Sequence, residues 1–151
     1  MKFPPPERLA ALARKVRSHA YAPYSRFRVG AALEADTGEV FTGCNVENAS
    51  YGLTICAEQA AVTAAVAAGR RRFRRLVVAT GGGQAVAPCG RCRQSLAEFG
   101  CDLEVFGVTN GEPMRWLLKD LIPDPFAGNL LNPGPGSGDG AADPRNPDST
   151  W

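Results

Sequence analysis

Three thiols and one carboxylate carry the chemistry of this chain. In Thr54-Ile55-Cys56-Ala57-Glu58-Gln59 a carboxylate follows a thiol by two residues, and Pro88-Cys89-Gly90-Arg91-Cys92 supplies two more thiols further along. Cys56, Cys89 and Cys92 are soft ligands suited to one zinc ion, and Glu58 is a carboxylate that the metal does not need. Three protein ligands leave a fourth tetrahedral position vacant, and that vacancy separates a catalytic zinc from a structural one. Zinc acidifies water at such a position, and a neighbouring carboxylate moves protons to and from it. The chemistry this arrangement offers is metal-assisted hydrolysis, with Glu58 taking a proton from water and delivering one to the departing group.

Two plainer readings compete. A structural zinc would need a fourth donor, from Cys44, Cys101 or His19, and would leave Glu58 with no role beside the metal. A redox Cys-x-x-Cys fits the strand-then-helix context, but no second redox feature accompanies it.

These residues must be positioned by a chain of 151 residues, enough for one domain, and its 44% hydrophobic content suffices for a core. A net charge of +2 gives too weak a bias for nucleic-acid or membrane partners. No apolar run has the length to span a bilayer, and residues 1–8 lack the apolar stretch of a signal peptide. Five cysteines, an odd number, argue against a secreted disulfide framework and for a reducing, cytoplasmic setting.

Leu9, Leu12, Ala13, Val16 and Ala20 recur at helical spacing, which predicts a helix over 7–20 entered through Pro4-Pro5-Pro6. Residues 27–35 and 39–44 read as an antiparallel hairpin about Thr37-Gly38. The alanine-rich stretch 54–68 predicts a helix that Gly69 terminates. A buried strand over 76–80, a helix over 88–99, strands over 102–108 and 113–116, and a short helix over 116–121 follow. The fold class is therefore α/β: a three-layer α/β/α arrangement around a five-stranded mixed sheet. Each metal motif opens a helix, where unpaired backbone amides and the positive dipole end favour thiolate. Residues 1–131 form the catalytic domain. In 132–151 eight of twenty residues are Gly or Pro, which predicts a disordered tail.

From about residue 20 to 126 the chain resembles the homotetrameric zinc cytidine deaminases. The markers are Ala20-Tyr21-Ala22-Pro23-Tyr24-Ser25-Arg26-Phe27-Arg28-Val29-Gly30-Ala31-Ala32, then Asn45-Val46-Glu47-Asn48-Ala49-Ser50-Tyr51, Cys56-Ala57-Glu58, and Pro88-Cys89-Gly90-Arg91-Cys92-Arg93-Gln94. The resemblance implies a cytidine deaminase-like fold, one zinc per subunit, a nucleoside substrate and a homotetramer. It implies that Asn45 and Glu47 hold the ribose hydroxyls, that Phe27 packs on the pyrimidine, and that the backbone of Ala57 contacts the base. It also implies that Phe126 reaches a neighbouring subunit's site. Capping of the helix that follows is the plain alternative for Asn45 and Glu47, and core packing the alternative for Phe27. Glu47 argues against a phosphorylated substrate, because the two would repel. In one respect the chain departs from the family: Gln59 stands where an arginine usually follows the catalytic glutamate. Three thiolates on Zn²⁺ leave a formal charge of −1, which Gln59 can offset only with neutral hydrogen bonds to sulfur. Backbone amides at the helix N-termini are the main compensation expected, with Arg91 or Arg93 as further candidates.

The remaining signals are weaker. Arg70-Arg71-Arg72-Phe73-Arg74-Arg75 is read as a solvated face or subunit contact at a helix end, since one aromatic makes no stacking platform for nucleic acid. Gly81-Gly82-Gly83 is not followed by Lys-Ser/Thr and is no phosphate cradle. Cys44 and Cys101 read as small apolar side chains on strands. An antibiotic deaminase of the blasticidin type shares the metal motifs, and the Asn45–Ala49 loop favours the plain nucleoside over it.

Overall fold

A computed structural model describes residues 5–128 and 131. Helix α1 (Glu7–Arg17) precedes strands β1 (Gly30–Ala35) and β2 (Val40–Cys44). Helix α2 (Ala57–Ala67) leads to β3 (Phe73–Ala79), and α3 (Gly90–Ala97) to β4 (Glu104–Val108), β5 (Met114–Leu117) and the short α4 (Leu118–Leu121). The five strands form one sheet in the order β2-β1-β3-β4-β5. Only β3 and β4 pair in parallel, with α3 as the crossover between them; the other neighbours are antiparallel. The sheet is therefore mixed, as the element order predicts.

Strand alternation sorts the core into two layers. Ala31 and Leu33 of β1, Leu76 and Val78 of β3 and Val105 of β4 face α2, α3 and α4. Their sequence neighbours Ala32, Val77, Ala79, Phe106 and Val108 face Leu9, Ala10 and Ala13 of α1. Both faces of the central strands are covered, which explains why β1 is buried along its whole length. Small alanines on α2 let that helix lie close to the sheet. Gly43 of β2 is the closest point: a Cβ there would lie 2.4 Å from the carbonyl oxygen of Ala57.

Element boundaries differ from the sequence reading at definite places. Helix α1 stops at Arg17 instead of residue 20, because the Ser18 hydroxyl bonds back to the Lys15 carbonyl and the Tyr21 amide pairs with Asn45. Strand β1 starts at Gly30 and not residue 27, because the Asn45 side chain takes the backbone partners of Phe27 and Val29. Helix α2 starts at Ala57, after a single 3₁₀ turn at Tyr51–Leu53 and a bridge between Val46 and Ile55. Gly69, at φ 79°, ends α2 as anticipated. Strand β3 begins at Phe73 and so absorbs part of the arginine cluster. Arg75 pairs with Glu34 at 2.6 Å, Arg72 with Asp36 at 2.9 Å, and Arg70 with Glu39. The cluster thus fastens β3 and its entry to the β1–β2 hairpin. The expected tail, 132–151, lies outside the described residues.

Candidate active site

Register places the chemistry. Gly30 pairs with Cys44 on one side and Ala79 on the other, so the carboxyl ends of β2 and β3 meet the start of β1 at one sheet edge. The chain leaving β2 enters α2 through Cys56, and the chain leaving β3 enters α3 through Cys89; each cysteine is the N-cap residue of its helix. Cys92 follows inside α3 and is fully buried. The crevice outside the carboxyl ends of strands is where open α/β sheets hold their ligands.

The three sulfurs all lie within 4.8 Å of one another. Cys56 Sγ and Cys89 Sγ are 3.9 Å apart. Tetrahedral thiolates bonded to zinc at about 2.3 Å would be separated by roughly 3.8 Å, so the trio fits that ion closely. The Cys92 thiol donates toward Cys56, which lowers the Cys56 pKa to about 6 against the opposing effects of burial and Glu58. The same contact, together with burial, pushes Cys92 upward. One sulfur is thus ready to ionise, and binding a metal would expel the remaining thiol protons.

Glu58 stands on the first turn of α2, 6% exposed. Burial raises its pKa above the ordinary carboxylate range, opposed by its own backbone amide and by Cys92. A carboxyl that holds a proton more tightly than usual is suited to both accept and return one.

Above these groups opens a cavity of about 330 Å³. Cys56, Cys89, Ala57 and Glu58 line it from the helix side, and Phe27 and Asn45 from the β1–β2 side. Phe27 is 47% exposed, which excludes the core-packing alternative for its ring. Asn45 is buried and braces the loop ahead of β1: its Nδ2 donates to the Phe27 carbonyl and its Oδ1 accepts from the Val29 amide, each at 2.8 Å. That bracing aims Phe27 into the cavity.

Glu47 stands in an adjoining hollow of about 270 Å³, lined by Tyr24, Ser25, Tyr51 and Thr54. Thr54 lines the catalytic cavity as well, so the two spaces share a wall. The Glu47 carboxylate accepts from the Ser25 hydroxyl and from the amides of Tyr24 (2.9 Å) and Ser25 (3.2 Å). The Ser25 hydroxyl chiefly holds its pKa below the usual range. Asn45 and Glu47 both fasten the segment before β1, not the helix that follows them.

The structure brings Cys56, Cys89, Ala57, Glu58, Phe27 and Asn45 around one cavity, with the buried Cys92 within 4.8 Å of the other two sulfurs and Glu47 in the adjoining hollow. Gln59 turns elsewhere: its Nε2 donates to Ser95 Oγ at 3.3 Å, and its buried Oε1 has no partner. Phe126 is joined to α3 through both of its backbone groups, accepting from Gln94 Nε2 at 2.8 Å and donating to Gln94 Oε1 at 3.0 Å, while its side chain is 58% exposed. Sequence reasoning did not single out Ser25, Thr54 or Val86, which complete the walls. Ser25 and Thr54 stand inside or beside the quoted motifs, so their positions carried a signal that residue type alone did not.

An α/β/α sheet with a three-thiol metal cradle and a buried free carboxylate at the strand ends defines a zinc-dependent hydrolase acting on amino-substituted rings. Residues 5–108 match the family described as the cytidine and deoxycytidylate deaminase zinc-binding region. The chain is 52% identical over 107 residues to a cytidine deaminase of Mycobacterium tuberculosis, covering 71% of this chain and 78% of that protein. It is 50% identical over 123 residues to one of Sporosarcina psychrophila, covering 80% and 90%. A crystal structure of a cytidine deaminase from Burkholderia pseudomallei superposes with a TM-score of 0.77 at 46% identity, over 82% of this chain and all of that one. The chain belongs to the cytidine and deoxycytidylate deaminase zinc-binding family.

Proposed function

We propose that the protein hydrolyses cytidine and deoxycytidine to uridine and deoxyuridine with release of ammonia, a step of pyrimidine salvage. The observation that carries this reading is a buried, proton-retaining Glu58 beside three sulfurs spaced for zinc, at the floor of a cavity of nucleobase size. Cys56, Cys89 and Cys92 would hold the ion. When bound, zinc supplies a Lewis acid that makes water nucleophilic near neutral pH. Glu58 takes the proton released from water and passes it to the ring nitrogen of the pyrimidine. The water oxygen bonds to the carbon that bears the amino group; Glu58 then takes the second proton, from the hydroxyl now on that carbon, and delivers it to the amino group as the carbon–nitrogen bond breaks, so one carboxyl serves both steps. Phe27 offers its ring to the base, and the backbone of Ala57 lies on the same wall. The base fits the inner cavity and the sugar the outer hollow, within reach of Asn45 and Glu47. An anionic Glu47 at that position disfavours a phosphorylated nucleoside.

The active species is a homotetramer in the cytoplasm, where three zinc-binding thiols stay reduced. The catalytic domain spans 1–131, with 132–151 as a tail. None of the described helices is long and apolar enough to cross a membrane. The pairing of arginines 70, 72 and 75 with carboxylates leaves little of that cluster for nucleic acid. Phe126 is held with its ring outward, as a residue serving a neighbouring subunit would be.

Zinc-loaded protein mixed with cytidine or deoxycytidine should consume the substrate's ultraviolet band and release one ammonia per nucleoside. Turnover on an oligonucleotide or on blasticidin S, with none on either free nucleoside, would overturn the assignment.

A further inference from the structure

A zinc ion on three thiolates carries a formal charge of −1, which weakens its pull on water and leaves the sulfurs more open to the protons that displace the metal. The surrounding protein must offset that charge. Two sources are built into the backbone, since Cys56 and Cys89 each cap a helix N-terminus. Gln59 adds little, being neutral and turned toward Ser95. Arg93 is committed elsewhere: its Nε donates to the Pro88 carbonyl at 2.7 Å and its Nη1 to the Leu121 carbonyl at 2.9 Å, tying α3 to the end of α4.

Arg91 is placed differently. It stands between the ligands Cys89 and Cys92, and its Nη1 reaches the Thr54 carbonyl at 3.4 Å, two residues ahead of Cys56. The guanidinium therefore spans from one ligand-bearing turn to the other.

We propose that Arg91 is the cation that neutralises the three-thiolate zinc centre, acting from between two of the ligands without touching the metal. This rests on the zinc deaminase reading above. Arg91 is a positioning residue by charge; the guanidinium shape matters less than its sign. Because the side chain is exposed, its effect weakens as ionic strength rises.

The test uses the zinc-loaded full chain. Release of zinc to a chelating dye is followed at low and high salt for the wild type, Arg91→Gln and Arg91→Lys. At low salt Arg91→Gln should lose zinc about two- to fivefold faster, the scale of one exposed charge contact. Arg91→Lys should stay close to wild type, and the gap should narrow at high salt. Adding Gln59→Arg to Arg91→Gln should slow the loss again if charge is what matters, and an unchanged far-ultraviolet circular dichroism spectrum verifies that each variant is folded. Equal release rates for wild type and Arg91→Gln at low salt, or a Lys variant as leaky as the Gln variant, overturn the proposal while leaving the zinc reading intact. A wild type that binds no zinc sinks the zinc reading and this proposal with it.

Discussion

Glu58 is the side chain on which turnover depends most directly. It is buried, it retains its proton more strongly than an ordinary carboxyl, and it is two residues from one thiol and in contact with another. Replacing it with the isosteric amide, Glu58→Gln, removes proton transfer but no ligand. Turnover should fall by about 10²–10⁴-fold, the usual contribution of a positioned acid–base group, while zinc content stays at one per chain by elemental analysis. Loss of zinc along with activity would mean that Glu58 belongs to the metal's own ligand set. Glu47 makes a contrasting case. Its pKa is lowered, chiefly by the Ser25 hydroxyl, so the brace it gives the 23–29 segment is complete above its ordinary value of 4.5 and is lost only as pH falls through the depressed one. The Michaelis constant for cytidine should therefore stay level down to about pH 4.5 and climb below it, provided the protein remains folded. Glu47→Gln should raise KM more than it lowers kcat, because the change loosens substrate contacts without touching the proton carrier.

At the level of elements, the site depends on how closely the first turn of α2 approaches β2. A Cβ at Gly43 would lie 2.4 Å from the Ala57 carbonyl oxygen and 2.5 Å from the Ala61 amide, distances that force the helix outward. Cys56 and Glu58 ride on that turn. Gly43→Ala should cost about 1–3 kcal/mol, readable as a lower denaturation midpoint, and should reduce zinc retention and turnover together. A variant with native stability and activity would show that the helix can shift freely. Much of this arrangement was legible beforehand, because periodicity sets the elements and Cys-x-x-Cys and Cys-Ala-Glu declare their ligands by spacing. The order of elements, the mixed sheet and the two ligand-bearing helix starts all follow from those signals. The misplaced boundaries arise where other partners, side chain or backbone, captured groups that a regular element would have used. Asn45 occupies the carbonyl of Phe27 and the amide of Val29, which delays β1 to Gly30, and no local pattern encodes a bond made sixteen or more residues away. The partners of the arginine cluster were hidden for a related reason. Its carboxylate partners Glu34, Asp36 and Glu39 lie on a hairpin far away in sequence, and only the β1–β3 pairing brings them together.

Across the whole molecule, the unusual surface is the one around the cavity mouth. Tyr51 is 74% exposed and Leu53 65%, and the Tyr24 ring packs edge-on against Tyr51 with centroids 5.7 Å apart. Bridges from Tyr21 to Val46 and from Val46 to Ile55 carry the same apolar surface along the loop, and all three of those side chains are also exposed. Large apolar side chains grouped in this way mark a surface that another molecule covers. In the tetramer proposed above, neighbouring subunits would cover it, and each cavity would be completed only on assembly. Light scattering should then give a mass four times the 16.0 kDa of the chain. Placing a charge in the patch, as in Leu53→Asp, would strand an unpaired carboxylate at that contact. This variant should shift the protein to smaller species. Its kcat/KM should recover as protein concentration is raised, while zinc stays bound, since no ligand is altered. A wild-type monomer that is fully active would contradict the covered-surface account and remove Phe126 from the neighbouring site. A tetramer that Leu53→Asp leaves whole would move the contact to a different face.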